Sequence, residues 1–282
     1  MQGKIQFVNV ETKESERRAV QVESASESTS QVMASPRASD NTAAISENTS
    51  KNTHNVVAEL LFAERGCKTV LDIPCGAGAF TKRLLDAGLD VYSADCQEMI
   101  QVPHRKFFVA DMNAQLPFAD AMFDAVVCID GIEHIERPFD FIKECRRILR
   151  KGGVLIVSTP NLTALRSRWR WLLTGFHQGE KSPLDETNYT PLHHLTLVSF
   201  PELRYRLHAN NFRISSIKTN RIKFISWVYA ALVPFSYVMT HWVFNKEEKG
   251  ATVREQNAEI VKQIFTVPIL FGETLIVKAV RE

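Results

Sequence analysis

The stretch Val70–Phe80 reads VLDIPCGAGAF, and the fold turns on how it is read. A short apolar run closes on Asp72, a turn carrying Gly76 and Gly78 follows, and helical spacing begins at Ala79. Strand, tight turn and helix in that order open a βα unit. Glycines in the turn let a ligand approach the backbone, where the helix N-terminus offers N–H groups and a positive dipole. A Gly-x-Gly turn by itself is equally an ordinary strand-to-helix connection, so its surroundings must decide.

Those surroundings repeat the unit. KTVLDI (68–73), DVYSAD (90–95), KFFVAD (106–111), FDAVVCID (123–130) and GGVLIVSTP (152–160) are short apolar runs suited to buried parallel strands. Between them lie FTKRLLDAGL, with Gly88 as C-cap, and a helix opened by Pro138 whose apolar face is Phe139, Ile142, Cys145, Ile148 and Leu149. VVAELLFAERG predicts a helix ending at Gly66, ahead of the first strand. Ser199 with Glu202 forms a capping box for a later helix, and FRISSIK (212–218) and ETLIVKAV (273–280) supply strands six and seven. The expected fold class is α/β: a doubly wound, mostly parallel seven-stranded sheet, Rossmann-like, with a helical C-terminal insertion between strands six and seven.

Composition is that of a soluble globular chain. Of 282 residues, 45% are apolar and 23% charged, enough apolar material for one buried core. Lys and Arg number 34 against 32 Asp and Glu, so the net charge of +2 excludes a strongly basic nucleic-acid protein and a strongly acidic solvating one. Cys67, Cys75, Cys96, Cys128 and Cys145 stand singly, which supports neither a CxxC zinc site nor a disulfide framework and suits a reducing cytoplasm. The N-terminus lacks the apolar stretch of a secretory signal. From Ser24 to Thr53 large apolar residues are nearly absent, so residues 1–52 are expected to form a disordered tail. Residues 53–220 are then the sheet-bearing domain, 221–268 an apolar helical cap, and 269–282 the last strand of the sheet.

Three carboxylates fall at the carboxyl ends of strands, where open α/β sheets bind ligands. Asp72 ends the first. Asp95 ends the second, 17 residues after Gly78, where a carboxylate can accept both hydroxyls of a ribose. Asp111 ends the third and Met112 follows it, placing a carboxylate and an apolar side chain beside an adenine-sized space. Any one of them could be a helix N-cap; all three around a glycine turn point to a nucleoside ligand.

At this point VLDIPCGAG, Asp95, the block VADMNAQLPFADAMFDAVVCIDGIEHI and LRKGGVLIVSTPN together resemble class I S-adenosylmethionine-dependent methyltransferases. The nearest group is the broad one that includes ubiquinone- and menaquinone-biosynthesis methyltransferases. The resemblance covers about residues 55–160, with a looser match at 195–220 and 273–280. It implies S-adenosyl-L-methionine as cofactor. By the same resemblance Asp72 orients the methionine amino group, and Pro74, Gly76 and Gly78 line the methionine and ribose. Asp95, with Cys96 beside it, holds the ribose hydroxyls, Asp111 and Met112 flank the adenine, and Ile129 and Asp130 form the wall beneath the sulfonium. Pro74 departs from the family, standing where its glycine triplet begins, and implies a stiffer turn. A nicotinamide dehydrogenase is the rival reading. It would want a third glycine near position 81, where this chain has Thr81, and it would not need Asp111.

The activity so implied is in-line methyl transfer, at oxygen, to a small or lipid-linked acceptor such as a glycan or isoprenoid. A hydroxyl acceptor calls for a base. His134, in DGIEHIERP, is placed for it, with a structural contact to a neighbouring loop as the alternative role. His194, paired in sequence with His193 in a loop expected to cover the pocket, is the second candidate. No metal is assigned. The alternative is a quinone-type, metal-assisted O-methyltransferase, since Asp130, Glu133 and His134, with His194 as a distant fourth, resemble an acidic-x-x-Glu-His ligand set in some quinone and RNA methyltransferases. The alternative outside enzymes is a catalytically silent, cofactor-binding partner subunit. The N-P-P-[YF] signature of amino-base methylation is absent after strand four, where the chain reads Ile129–Asp130–Gly131–Ile132, which argues against a nucleic-acid acceptor.

Two segments remain. LTALRSRWRWLLTGF (162–176) predicts a cationic helix. Either Arg166, Arg168 and Arg170, interleaved with Trp169 and Trp171, grip a phosphate, or they are a solvated face behind Leu162, Leu165, Trp169, Leu172 and Phe176 packed inward. FISWVYAALVPFSYVMTHWVF (224–244) runs 21 residues without Lys, Arg, Asp or Glu. A straight helix of that length spans roughly 31 Å and would cross a bilayer. A single crossing would, however, separate strands six and seven, and Pro234 breaks the helix. The expectation is a broken helix or hairpin in peripheral contact with a membrane, on its cytoplasmic inner face, with Trp227, Tyr229, Tyr237 and Trp242 at interfacial depth; a lid or dimer surface is the alternative.

Overall fold

The computed structural model describes residues 45–179, 183–188, 190, 193–246 and 250–282. Most of the tail expected over 1–52 lies outside the described residues. Its last part does not behave as a tail, because Thr49, Lys51 and Asn52 hydrogen-bond to the folded chain.

Seven strands form one sheet: β1 (Thr69–Asp72), β2 (Asp90–Asp95), β3 (Phe107–Val109), β4 (Phe123–Cys128), β5 (Leu149–Pro160), β6 (Phe212–Thr219) and β7 (Thr274–Arg281). Their order is β3-β2-β1-β4-β5-β7-β6. The first five run parallel, and β7 lies antiparallel between β5 and β6. The chain reverses its direction of travel across the sheet between β1 and β4, so the crevice outside their carboxyl ends is where ligands bind in such sheets.

The helices are α1 (Thr53–Phe62), α2 (Ala79–Asp86), α3 (Pro138–Ile148), α4 (Leu165–Thr174), α5 (Phe200–Ala209), α6 (Val233–Asn245), α7 (Ala251–Ile264) and α8 (Val267–Phe271). The unbroken apolar runs of the central strands are explained by the two layers these helices make. Along β4, Phe123, Val126 and Cys128 join one buried cluster, while Ala125 and Val127 join the other. Along β5, Leu155 and Val157 alternate in the same way with Val154 and Ile156. Successive strand residues point to opposite faces, so a strand covered on both sides needs apolar residues at every position.

Helix α3 differs from the expected face. Phe141, Ile142, Cys145 and Ile148 are buried, whereas Phe139 is 40% exposed. Phe139 precedes the stripe with helical spacing, which begins at Phe141. The Ser199–Glu202 capping box is present at the start of α5. The uncharged run divides at Val233 into a 3₁₀ segment (Phe224–Leu232) and α6, with Pro234 in the first turn of α6, where a missing N–H costs nothing. Among the described residues no helix is long and apolar enough to cross a membrane.

Candidate active site

The site is built on the carboxyl tips of β1, β2 and β4. Asp72, at the end of β1, is 1% exposed and accepts a 2.6 Å hydrogen bond from the Thr81 hydroxyl on α2. The Thr81 oxygen lies 2.8 Å from the Ser93 hydroxyl on β2, so a fully buried polar triad ties β1, α2 and β2 together. Burial pushes the Asp72 carboxyl up to about 7. Thr81 stands where a dinucleotide-binding turn would have its third glycine.

Between these tips the turn opens a cradle. Gly76 has φ +52° and Gly78 has φ +88°, values that L side chains rarely adopt. A Cβ on Gly76 would meet nothing within 4 Å, whereas one on Gly78 would stand 2.8 Å from Ile100 and 2.9 Å from Val102. Space over the backbone is thus open on the Gly76 side and walled on the Gly78 side by the loop after β2. The Gly76 N–H donates to the Asp95 carboxylate at 2.9 Å, which sets that carboxylate at the rim of the cradle. Asp95 also accepts from the Cys96 thiol at 3.4 Å. Burial and the charge of Asp95 push the Cys96 thiol up, so it stays protonated. Pro74 packs against Gly131, where a Cβ would lie 2.3 Å from its ring.

Asp111, exposed at the tip of β3, accepts from the Asn113 backbone N–H at 2.8 Å, and Met112 beside it is buried in the core. Ile129 is buried. Asp130 takes a φ of +45° and is held there from several sides. Its N–H donates to the Ser158 hydroxyl at 2.9 Å, its carboxylate accepts from that hydroxyl at 2.6 Å, and Thr49 donates to the other oxygen at 2.5 Å. These residues all lie at or just past the carboxyl ends of the neighbouring strands β3, β2, β1 and β4.

His134 follows in a 3₁₀ turn (Ile132–His134). Its Nδ1 lies 3.1 Å from the His193 carbonyl, and its ring meets the His194 ring edge-on at 4.8 Å. His193 and His194, from the loop expected to cover the pocket, are therefore docked on His134, which is the structural contact foreseen for that residue. Ligand atoms of Glu133, His134 and His194 lie within 4.8 Å of one another. Glu133 is buried, its Oε2 has no hydrogen-bond partner, and burial with the nearby Asp130 charge raises its carboxyl well above the carboxylate range. Asp130 is not part of this cluster, and its two carboxylate oxygens accept from Ser158 and Thr49.

Sequence reading missed Thr49, Thr81, Ser93 and Ser158. For Thr81 and Ser158 a signal existed: each is a polar residue on an otherwise inward-facing stretch. For Thr49 there was none, because it lies in a polar segment with no periodicity.

Residues 71–157 match the family model for a methyltransferase domain. A protein of Mycolicibacterium smegmatis named "probable S-adenosylmethionine-dependent methyltransferase" is 32% identical over 139 residues, covering 48% of this chain and 54% of that protein. A ubiquinone biosynthesis O-methyltransferase of Xanthomonas campestris is 32% identical over 107 residues, covering 33% of this chain and 44% of the relative. The chain thus spans about half the length of the curated relatives it matches. Among solved structures, a methyltransferase of Thermotoga maritima, titled a possible histamine N-methyltransferase, superposes with a TM-score of 0.50 at 15% identity, over 82% of this chain and 88% of that one.

Proposed function

From a chain that carries an S-adenosylmethionine-dependent methyltransferase domain, we propose methyl transfer to an oxygen of a small or lipid-linked acceptor. The carrying observation is the open cradle over Gly76, rimmed by the Asp95 carboxylate and walled by the loop at Gly78. The bound cofactor supplies an electrophilic methyl group on a sulfonium, so the chain's task is positioning. In this reading Asp95 exchanges its Gly76 N–H for ribose hydroxyls. Pro74, Gly76 and Gly78 line the methionine and ribose, and Cys96, Asp111 and Met112 border the nucleoside. Ile129 and Asp130 close the floor, with Asp130 fixed by Ser158 and Thr49. Asp72 keeps the turn in place through Thr81. His134, with His194 against it, accepts the proton of the acceptor hydroxyl. Titration calorimetry with the methyl donor and with its demethylated product tests the cofactor site. Heat with both, and none with NADH, is the expected outcome; the reverse would remove the reading. Radiolabelled donor with fractionated native extract then identifies the acceptor, and label in the lipid-extractable fraction is expected.

A second reading is favoured by the orphaned Glu133 oxygen in reach of two imidazoles. Glu133, His134 and His194 would hold a divalent ion, which supplies an acidic anchor for the acceptor hydroxyl. Ligand atoms at metal distance stand about 3.4 Å apart in tetrahedral geometry, so the cluster would have to tighten. Activity that survives a strong chelator would dismiss this version and leave the first intact. Peripheral contact with the inner face of a membrane, through 224–244, belongs to the lipid-linked reading and is treated next.

A further inference from the structure

The strongest unexplained feature lies away from the sheet. Helix α4 and the segment 224–245 lie side by side and expose apolar surface on a scale found nowhere else among the described residues. Phe224 is 90% exposed, Leu172 67% and Phe235 69%. All four tryptophans of the chain, Trp169, Trp171, Trp227 and Trp242, sit here, between 41% and 58% exposed. The inward stripe expected of α4 holds only at Leu162 and Leu165, and beyond them Trp169 and Leu172 face outward. None of the described side chains of α6 is buried, although the helix contains no Lys, Arg, Asp or Glu. A helix with no charged residue on any face and large apolar side chains left exposed marks a surface with a partner outside the chain.

The two elements form a built unit. Arg168 donates from Nε to the Thr163 carbonyl at 2.7 Å and from Nη1 to the Ser236 hydroxyl at 3.1 Å, latching α4 to α6. A groove of about 400 Å³ runs between them, lined chiefly by Trp169, Leu172, Phe235, Met239 and Val243. Arg166 and Arg170, both half-buried, belong to α4, and Lys246 lies over the Trp242 ring at 5.5 Å. No acidic residue occurs in the sequence from Cys145 to Gly179 or from Leu203 to Lys246. The nearby Glu273 is taken up by Arg221 and Lys223.

We infer that this α4–α6 face docks on an anionic lipid bilayer, with the groove receiving a single hydrocarbon chain. Three features select a bilayer over a protein partner. The charges that α4 and the end of α6 carry, Arg166, Arg168, Arg170 and Lys246, are all positive, which complements anionic headgroups. Tryptophan and tyrosine beside cations is the pattern of the water–lipid boundary. The face also offers few polar groups, whereas a protein interface carries roughly one hydrogen bond per 100–200 Å². With 13 residues, α6 is about 20 Å long, too short to span the bilayer and suited to lie along it. The segment follows β6 and α4 follows β5, so both leave the carboxyl end of their part of the sheet or its return, and docking there would bring a membrane-borne acceptor toward the site. The deepening of the proposed function rests on that reading; the docking itself does not involve the methyl donor.

The test uses the full chain, without donor, and unilamellar vesicles of phosphatidylcholine with or without phosphatidylglycerol. Because all four tryptophans lie on α4 or the 224–245 segment, with Trp169 and Trp242 nearest the docking surface and Trp171 stacked on His177, intrinsic fluorescence reports docking. The expected result is a blue shift and flotation with anionic vesicles, quenching by brominated lipid, and reversal of most of the binding at about 1 M salt. Leu172→Glu with Val238→Glu, both at exposed positions, should weaken partition about tenfold or more while near-ultraviolet circular dichroism stays unchanged. Unchanged emission with vesicles, equal binding by the double variant, equal binding to neutral vesicles, or a lipid-free dimer that shields the tryptophans would each overturn the inference. Failure of donor binding in calorimetry would instead strike the methyltransferase reading and leave these outcomes untouched.

Discussion

The glycine turn and the α4–α6 face treat their chemistry in opposite ways. At the turn every carboxylate has a partner within the chain: Thr81 on Asp72, the Gly76 N–H on Asp95, Asn113 on Asp111, Ser158 and Thr49 on Asp130. At the face, large apolar side chains are left in contact with solvent. Pre-paired polar groups mark a site whose geometry is fixed before its ligand arrives, and a ligand need only replace one or two hydrogen bonds. Unpaired apolar surface marks a site whose partner lies outside the chain. Substitutions should therefore change stability strongly at the turn and hardly at all at the face.

The largest expected effect is at Asp72. Its carboxyl titrates near 7 in the folded chain and near the ordinary 3.8 when unfolded. The raised value means the folded state keeps a proton that the unfolded state has lost. Stability from this group is thus complete below about pH 4 and is lost as pH rises to about 7, by of order 4 kcal/mol. Asp72→Asn should remove that dependence, so thermal melts of variant and parent should diverge from pH 4 to pH 7 in the variant's favour. Parallel melting curves across that range would show that Asp72 is not the buried titrating group.

Next is Gly131→Ala, whose methyl would stand 2.3 Å from Pro74 Cδ and 3.1 Å from Cys128 Sγ. A destabilisation of about 3 kcal/mol is expected from overpacking, read by urea denaturation. An unchanged midpoint would mean that Pro74 can move, and the turn would be less rigid than its contacts imply.

Asp95→Ala should weaken methyl-donor binding about a hundredfold, since it removes the charged acceptor at the rim of the cradle, while the fold survives. Calorimetry decides it, and undiminished affinity would move the ribose subsite elsewhere. Smallest of all, Leu172→Glu with Leu173→Glu should shift stability by less than about 0.5 kcal/mol, because both side chains are already in water. A large loss of stability in lipid-free buffer would break the contrast and show that the face is part of the core.

Much of the site was legible because it is local. Asp72 and Asp95 end β1 and β2, and Asp111 lies two residues past β3, so carboxylates at or just beyond strand ends read nearly the same in sequence as in space. The inward face of α3 was legible at Ile142, Cys145 and Ile148, but Phe139 faces outward, Phe141 was not foreseen and Leu149 opens β5 instead of closing the helix. The stripe foreseen for α4 was not, because helical spacing says which side chains share a face and not whether anything lies opposite that face. Segment 45–52 was illegible for a different reason: it has no periodicity, and its order comes from partners such as Asp130, 81 residues beyond Thr49.

By itself, the amino-acid order determined the parallel strands, the glycine turn between β1 and α2, and the acidic tips, since each depends on periodicity and residue type over fewer than about ten positions. Only the tertiary structure decided that Thr81 would donate to Asp72 and meet the Ser93 hydroxyl, that Ser158 and Thr49 would fix Asp130, and that Arg168 would latch α4 to a helix 68 residues away. The physical reason is that a hydrogen bond is specified by two groups meeting within about 3 Å, and chain crossovers rather than neighbouring residues choose which groups meet.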